Sequence, residues 1–539
     1  MSWRDTSAIR LLPGFNQEKR FKAHYLKPNP LLRITCHIGG VSMKPIRTYS
    51  VLPFLLLSIP SLSNAGVIEW KGPVNGAFSD ASNWQGGVTP KSGDTAVFNT
   101  GGASPYTVTF NDSDATTIES VEVRNDQLTI ENSFAIEKNL TIGGTGGENT
   151  SLTFNNGQIL FQDNPSGHNP PLTSIKSSAG GSSEMVMNHS QLSWVNLAVE
   201  MEGKSSSIVM KDHSGIEGLY LQQRGEASLV VDNSSLSLSS AFYQDDGVAL
   251  FTNGAYAGLS DSFIGGKFTA EGPDTRIYHG GYLSAGGELT YRDGAYAQAG
   301  MLAGGGTINI DGAGSQLEFN SIGLYDPYSP IEFSGEVNVT NGGVFGDLST
   351  TGYSSGWVSG HMKVNLSNGS FGAQFIDNNG TISGHGQMVG ELKNKEGGRI
   401  ESKGGSLALN GNYTQDSASV LSITIGDWML SDDTAALAID GTAALDGFVT
   451  VQLEDAFKPK LGDAFNLLSA TSIVGEFSDF SFPGLSGGMG WAWEIIAGAD
   501  YETLVLKVVA NQVPVPEPGT LALFGLSASL ILLRRRKPA

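Results

Sequence analysis

Through the middle of the chain, apolar and polar residues alternate over short runs, and each run stops at an Asn, Asp or Gly corner. Ile208-Val209-Met210-Lys211 ends at Asp212-His213-Ser214, Leu229-Val230-Val231 at Asp232-Asn233-Ser234, Leu250-Phe251-Thr252 at Asn253-Gly254, and Leu289-Thr290-Tyr291-Arg292 at Asp293-Gly294. Similar corners stand at Asn188-His189, Asp311-Gly312, Asn341-Gly342, Asn368-Gly369 and Asn410-Gly411. Alternation with a period of two predicts half-buried strands, and no stretch keeps the spacing of an amphipathic helix. The second corner residues at 189, 213, 233, 254, 294 and 312 fit steps of about 20 residues, provided one weak rung falls near Asp274.

An all-β parallel β-helix or solenoid accounts for this pattern. Each coil of about 20 residues supplies short strands that pair with the coils before and after it, while inward Val, Ile, Leu and Phe form a continuous core. Asn, Asp and Gly suit the corners because they tolerate left-handed backbone. The chain's 71 glycines agree with very frequent turns. A string of β-sandwiches is the competing architecture, since it also turns every 8 to 12 residues or so. The steadier 20-residue spacing favours the solenoid, with coils over 101–425 and capped ends at 66–100 and 426–512.

The expected caps carry a resemblance. Trp70, the segment Asn83-Trp84-Gln85-Gly86-Gly87-Val88-Thr89-Pro90 and Gly93-Asp94-Thr95-Ala96-Val97-Phe98 resemble the opening rung of autotransporter-type passenger repeats. Gly411-Asn412-Tyr413-Thr414-Gln415, Leu421-Ser422-Ile423, Leu445-Asp446-Gly447 and Gly462-Asp463-Ala464-Phe465 resemble the closing segment of such proteins. The large C-terminal transporter barrel of autotransporters has no counterpart here, so the resemblance implies export by the general secretory route.

Both ends of the chain read as addresses. Met43-Lys44-Pro45-Ile46-Arg47, the apolar run Val51 to Ile59, and Ser63-Asn64-Ala65 form a signal peptide over 43–65, cleaved by signal peptidase between Ala65 and Gly66. Residues 1–42 precede it and read as a leader from a start codon placed too far upstream; an unusually long signal peptide is the alternative. At the other end, 513–539 combines Pro514, Pro516 and Pro518, an apolar stretch at 520–533 and the basic cluster Arg534, Arg535, Arg536 and Lys537. Closely spaced prolines hold the backbone extended. The apolar stretch predicts one C-terminal transmembrane helix of roughly 21 Å, short for a core of about 30 Å. The basic cluster can snorkel to the headgroups and keeps the C-terminus cytoplasmic.

This tripartite tail resembles the PEP-CTERM sorting signal of Gram-negative bacteria, with Pro516, Glu517 and Pro518 in the motif positions. The resemblance implies recognition by a membrane-embedded exosortase, cleavage near the motif, and delivery of a membrane-anchored precursor to the cell surface or extracellular matrix. A plain C-terminal anchor is the alternative.

Trimming leader, signal and tail changes the composition. The only cysteine, Cys36, lies in the leader, so a mature body would use no disulfide, thiolate metal site or Cys nucleophile. The leader, signal and tail hold seven, two and four of the chain's 32 basic residues, and two, none and one of its 53 acidic ones. Between Gly66 and Val515 this leaves 19 basic against 50 acidic residues, a net charge near −31. Such a surface repels nucleic acid and anionic lipid.

Candidate chemistry is sparse. Gly352-Tyr353-Ser354-Ser355-Gly356 and Gly484-Leu485-Ser486-Gly487-Gly488 match G-x-S-x-G, without the strand-to-helix setting of a nucleophile elbow. His168, His189, His213, His279, His361 and His385 are scattered, with His189 and His213 at equivalent corners. Asn111-Asp112-Ser113-Asp114 and Ser431-Asp432-Asp433 offer oxygen ligands for calcium, yet lack the spacing of known calcium loops. No catalytic, cofactor or metal residues are assigned. Thr107-Val108-Thr109 is not repeated in register, which removes a flat threonine array.

Two function classes follow. The first is a non-enzymatic, adhesin-like structural protein of the cell surface or matrix, linked to exopolysaccharide or biofilm. The second is a polysaccharide-active β-helix enzyme, a lyase or glycoside hydrolase. A lyase for acidic sugars needs clustered Lys and Arg, and the one close group here is Lys393, Lys395, Arg399 and Lys403.

Overall fold

A computed structural model describes residues 65–511, apart from 103, 112–116, 145–146, 162–170, 179, 324–331, 350–353 and 431–434. The chain divides into two units, Met1–Ser61 and Leu62–Ala539, and the first lies wholly outside the described residues. The body is all-β, a parallel stack in which almost every strand pairs with strands one coil earlier and one coil later. Three short 3₁₀ turns are its only helices among the described residues. None of them is long and apolar enough to cross a membrane. The expected transmembrane segment 520–533 lies outside the described residues.

Register gives the coil length directly. Ser228 pairs with Val248, Val248 with Lys267, Lys267 with Glu288 and Glu288 with Thr307, so these coils take 20, 19, 21 and 19 residues. Elsewhere the coils are longer. Asn139 and Leu172, 33 residues apart, are partners, as are Thr307 with Glu336 and Val420 with Phe448. The extra residues fall between the paired strands, where pairing does not constrain chain length.

The core is built as columns. Leu229, Ala249, Phe268, Leu289, Ile308 and Val337 are register partners in succession, beside Val231, Phe251, Ala270, Tyr291, Ile310 and Val339. All are buried. Large residues meet small ones: Ala249 leaves room for Phe268, and Ala270 sits between Phe251 and Tyr291. Size alternation of this kind fills a narrow interior without voids.

Corners explain the sequence repeat. His189, His213, Asn233, Gly254, Gly294 and Gly312 all have positive φ, and the weak rung near Asp274 uses Gly272 at φ 96°. A buried hydroxyl follows most of these corners and ties one coil to the next. The Ser190 N–H donates to Ser214 Oγ and the Ser214 N–H to Ser234 Oγ, each at 3.2 Å, while Ser214 Oγ donates to its own coil at Lys211 O, 2.6 Å away. Thr275 and Ser315 repeat the pattern, accepting from Gly254 and Gly294. A second corner needs glycine for close approach rather than for φ. A Cβ on Gly287 would lie 2.0 Å from Gly266 O, one on Gly306 2.1 Å from Gly287 O, and one on Gly335 1.9 Å from Gly306 O.

Parallel pairing runs past both expected cap boundaries. Val67–Glu69 already pairs with Thr95–Phe98, and Val420–Ile425 continues through Phe448–Leu453 to Asp479–Ser481. Among the described strands only the last turn antiparallel: Glu502–Ala510 pairs with Ala464–Gly475 on one side and Met489–Ala497 on the other. At the first end, Trp70 and Trp84 meet edge to face at 4.9 Å, and Phe78 stacks on Phe110 at 4.3 Å. Trp84 Nε1 donates to Phe78 O at 2.8 Å, so these rings close the core with their polar edges satisfied.

Among the described histidines, His279 alone is built into the core. Its position is in register with Leu259 and Ala299, and the small Ala299 leaves space for the ring. Ser262 Oγ lies 2.7 Å from Nδ1 and the Tyr291 hydroxyl 3.2 Å from Nε2, so a neutral imidazole satisfies both contacts. Burial pushes its pKa down to about 3 from 6.5. Below about pH 6.5 the unfolded chain takes up a proton that the folded one refuses, so this residue's contribution falls with pH toward 3 and is constant above 6.5. Urea unfolding of the wild type and His279→Gln should therefore show a stability difference that shifts by about 2–3 kcal/mol against the wild type between pH 6.5 and 4.5. A pH-independent difference would contradict a neutral buried imidazole.

Candidate functional site

Gly66 directly precedes the first strand, and its N–H donates to Asp94 Oδ1 at 2.9 Å. Asp94 is buried at 6% exposure, and its other oxygen accepts from the Lys91 N–H at 3.2 Å. Gly66 O in turn accepts from Thr95 N–H at 2.8 Å. The Gly93-Asp94-Thr95 segment of the opening rung thus grips the backbone at the position where a mature N-terminus would begin.

The other residues singled out in the sequence are dispersed. His189 and His213 are exposed at neighbouring corners, ring centroids 6.4 Å apart. His361 is exposed near Glu332, His385 is half-buried, and His168 lies outside the described residues. Ser354 is buried and its Oγ accepts from the Gln374 N–H, whereas Ser486 is exposed in a turn. Neither serine precedes a helix. Three of the four clustered cations are paired: Lys395 with Asp377 at 2.7 Å, and Arg399 and Lys403 with Glu401. The acidic residues 112–114 and 431–433 lie outside the described residues. Among the described residues no group of three His, Cys, Asp or Glu is placed to hold a metal.

Outward-facing aromatic rings, by contrast, are brought into line. Tyr256, Tyr278 and Tyr296 follow one another at 5.7 and 6.1 Å between ring centroids on consecutive coils. Tyr243, Phe263 and Tyr282 form a second line, at 5.1 and 5.8 Å, the first pair nearly parallel at 8°. Both lines belong to the same bent strands: Tyr256 and Phe263 lie in Tyr256–Ile264, and Tyr278 and Tyr282 in Arg276–Ala285. The bend between them holds small residues, Ser239 and Ser240, Ser260, Gly280 and Gly281, then Gly300. Its first coils form a groove of about 320 Å³ over Glu217, Gly218, Ser237, Ser239 and Gly258.

Polar groups hold these rings in place. The Tyr296 hydroxyl donates to Glu318 at 2.7 Å, and Arg276 lies 5.8 Å over the Tyr296 ring. Burial, then Glu318, raises the Tyr296 pKa, so its hydroxyl keeps the proton. Asp261 Oδ1 accepts from the Tyr282 N–H at 2.9 Å. The sequence reading missed both lines. Their signal was a Tyr or Phe recurring at coil spacing on polar positions, which a search for buried apolar repeats passes over.

Fold and ends together define a class of protein, a parallel β-solenoid followed by a sorting tail. The tail carries the PEP-CTERM protein-sorting motif, whose family model matches residues 514–537 and so takes in Pro516, Glu517, Pro518 and the basic cluster Arg534 to Lys537. That motif implies an exosortase-sorted extracellular protein, exported through a membrane-associated precursor and processed by an exosortase-type enzyme. No curated protein matches the chain. The tail's own geometry lies outside the described residues.

Cleavage between Ala65 and Gly66 would place an α-ammonium where the Gly66 amide now meets Asp94. Asp94→Asn should then lower the unfolding free energy of the processed body by about 1–3 kcal/mol, and by less in a chain that keeps the preceding residues. Denaturant titration of both forms checks this; equal losses would remove any role for a free N-terminus.

Proposed function

We propose that the protein is a non-enzymatic component of the cell surface or extracellular matrix, adhesin-like, held in exopolysaccharide or biofilm. The observation that carries this reading is the combination of a sorting motif at 514–537 with a body whose outer surface repeats coil after coil. Repetition suits weak contacts made many times along an extended partner, where avidity replaces a single tight site. The acidic surface keeps such a body soluble and away from nucleic acid and anionic lipid. Ion pairing of Lys395, Arg399 and Lys403 leaves that group poorly suited to a lyase cleft for acidic sugars.

Two outcomes are expected. Deleting Pro516 to Pro518 should leave the protein in the cell membrane fraction instead of on the surface or in the matrix, read by fractionation and surface labelling; unchanged delivery would reduce the tail to a plain anchor. Incubating the purified protein with acidic and neutral polysaccharides should leave their chain lengths unchanged. Sustained depolymerisation would replace this reading with an enzymatic one.

A further inference from the structure

We infer that the bend flanked by Tyr256, Tyr278, Tyr296 and by Tyr243, Phe263, Tyr282 is a binding groove for a neutral, extended polysaccharide that runs along the stack. This rests on the surface or matrix reading above and names the ligand class. Tyr256, Tyr243 and Phe263 are 44%, 36% and 37% exposed, so part of each ring is open to a partner while successive rings of a line also pack on one another. An aromatic face carries negative quadrupole density. The C–H face of a pyranose with equatorial hydroxyls is flat and weakly positive, and so stacks on it.

Other extended partners fit poorly. A peptide that binds a sheet by strand addition needs free backbone donors and acceptors at an edge. On this lateral face the backbone groups are committed to the coils before and after, as in the pairings of Tyr256–Ile264 with Ser235–Gln244 and Arg276–Ala285. Nucleic acid and acidic polysaccharides meet the net charge near −31 of the body and the carboxylates of Asp261 and Glu318 beside the rings and of Glu217 in the groove. The same carboxylates, with Ser237, Ser239 and the tyrosine hydroxyls, accept and donate hydrogen bonds to neutral sugar hydroxyls. Each coil presents a further ring about 5 Å on. A ligand lying along the axis therefore meets stacking contacts repeatedly, and its affinity grows with chain length.

The test uses the full chain with a soluble neutral β-linked glucan and with polygalacturonate. The glucan should bind, more tightly as its chain lengthens, and polygalacturonate at least about tenfold more weakly. Tyr256→Ala with Tyr278→Ala, and separately Tyr243→Ala with Phe263→Ala, should each weaken glucan binding about tenfold, while Tyr256→Phe with Tyr278→Phe changes it little. Circular dichroism and the thermal transition of each variant report folding. Should an alanine pair unfold, nitration of the wild type decides: bound glucan should slow modification of Tyr243, Tyr256 and Tyr278. No glucan binding, equal binding by all variants, equal affinity for polygalacturonate, or no protection from nitration would overturn the inference. In cells, wild-type protein that is held on the surface together with equally held alanine-pair variants defeats this groove alone. Wild-type protein that is never delivered there defeats the surface reading, and the glucan titration still judges the groove.

Discussion

The strands of each coil complete their ladder hydrogen bonds through the coils before and after. A strand such as Val248–Thr252 pairs with Ser228–Asp232 before it and Lys267–Glu271 after it, and has no partner within its own turn. Backbone donors and acceptors left unpaired inside a protein are costly. Stacking in register is therefore the constraint from which the rest follows. It places like positions above one another and turns each choice of residue into a column: apolar columns inside, hydroxyls at Ser190, Ser214 and Ser234 along one corner, and glycines 266, 287, 306 and 335 along another.

A stack needs its ends closed, since an open rung would recruit other strands. The two ends are closed by different means. Trp70, Trp84, Phe78 and Phe98 pack over the first coils, whereas the antiparallel strands Met489–Ala497 and Glu502–Ala510 fold against the last. The expected cleavage at Ala65 and Gly66 lies just ahead of the first strand, and the sorting motif begins at residue 514, after the last strand ends at Ala510.

Much of the fold was legible because pairing imposes its period on the sequence. Asn233, Gly254, Gly294 and Gly312 marked corners that do take left-handed backbone, and the missing rung near Asp274 proved to be a Gly272 corner. Parallel pairing continues across residues 101 and 425 wherever apolar alternation does, as in Leu421 to Val451. The glycine column was hidden because a close approach between coils leaves no trace in any one coil. The aromatic lines were hidden for the same reason, Tyr256 and Tyr278 being neighbours only once the coil length is known. His279 looked like its exposed counterparts and is buried because register sets it inward, in line with Leu259. The tail was read from composition and order alone, and the sorting-motif match covers the same residues, 514–537.

The central claim is the register itself, and it can be measured without solving a structure. Spin labels placed at Thr290 and Asn309, register partners on adjacent coils, would stand about 5 Å apart along the stack, and labels at Thr290 and Asn338 about 10 Å. In a Cys36→Ser background the account predicts a strongly broadened electron paramagnetic resonance spectrum for the first pair and clearly weaker coupling for the second. Narrow, uncoupled lines for Thr290 with Asn309 would contradict a parallel solenoid.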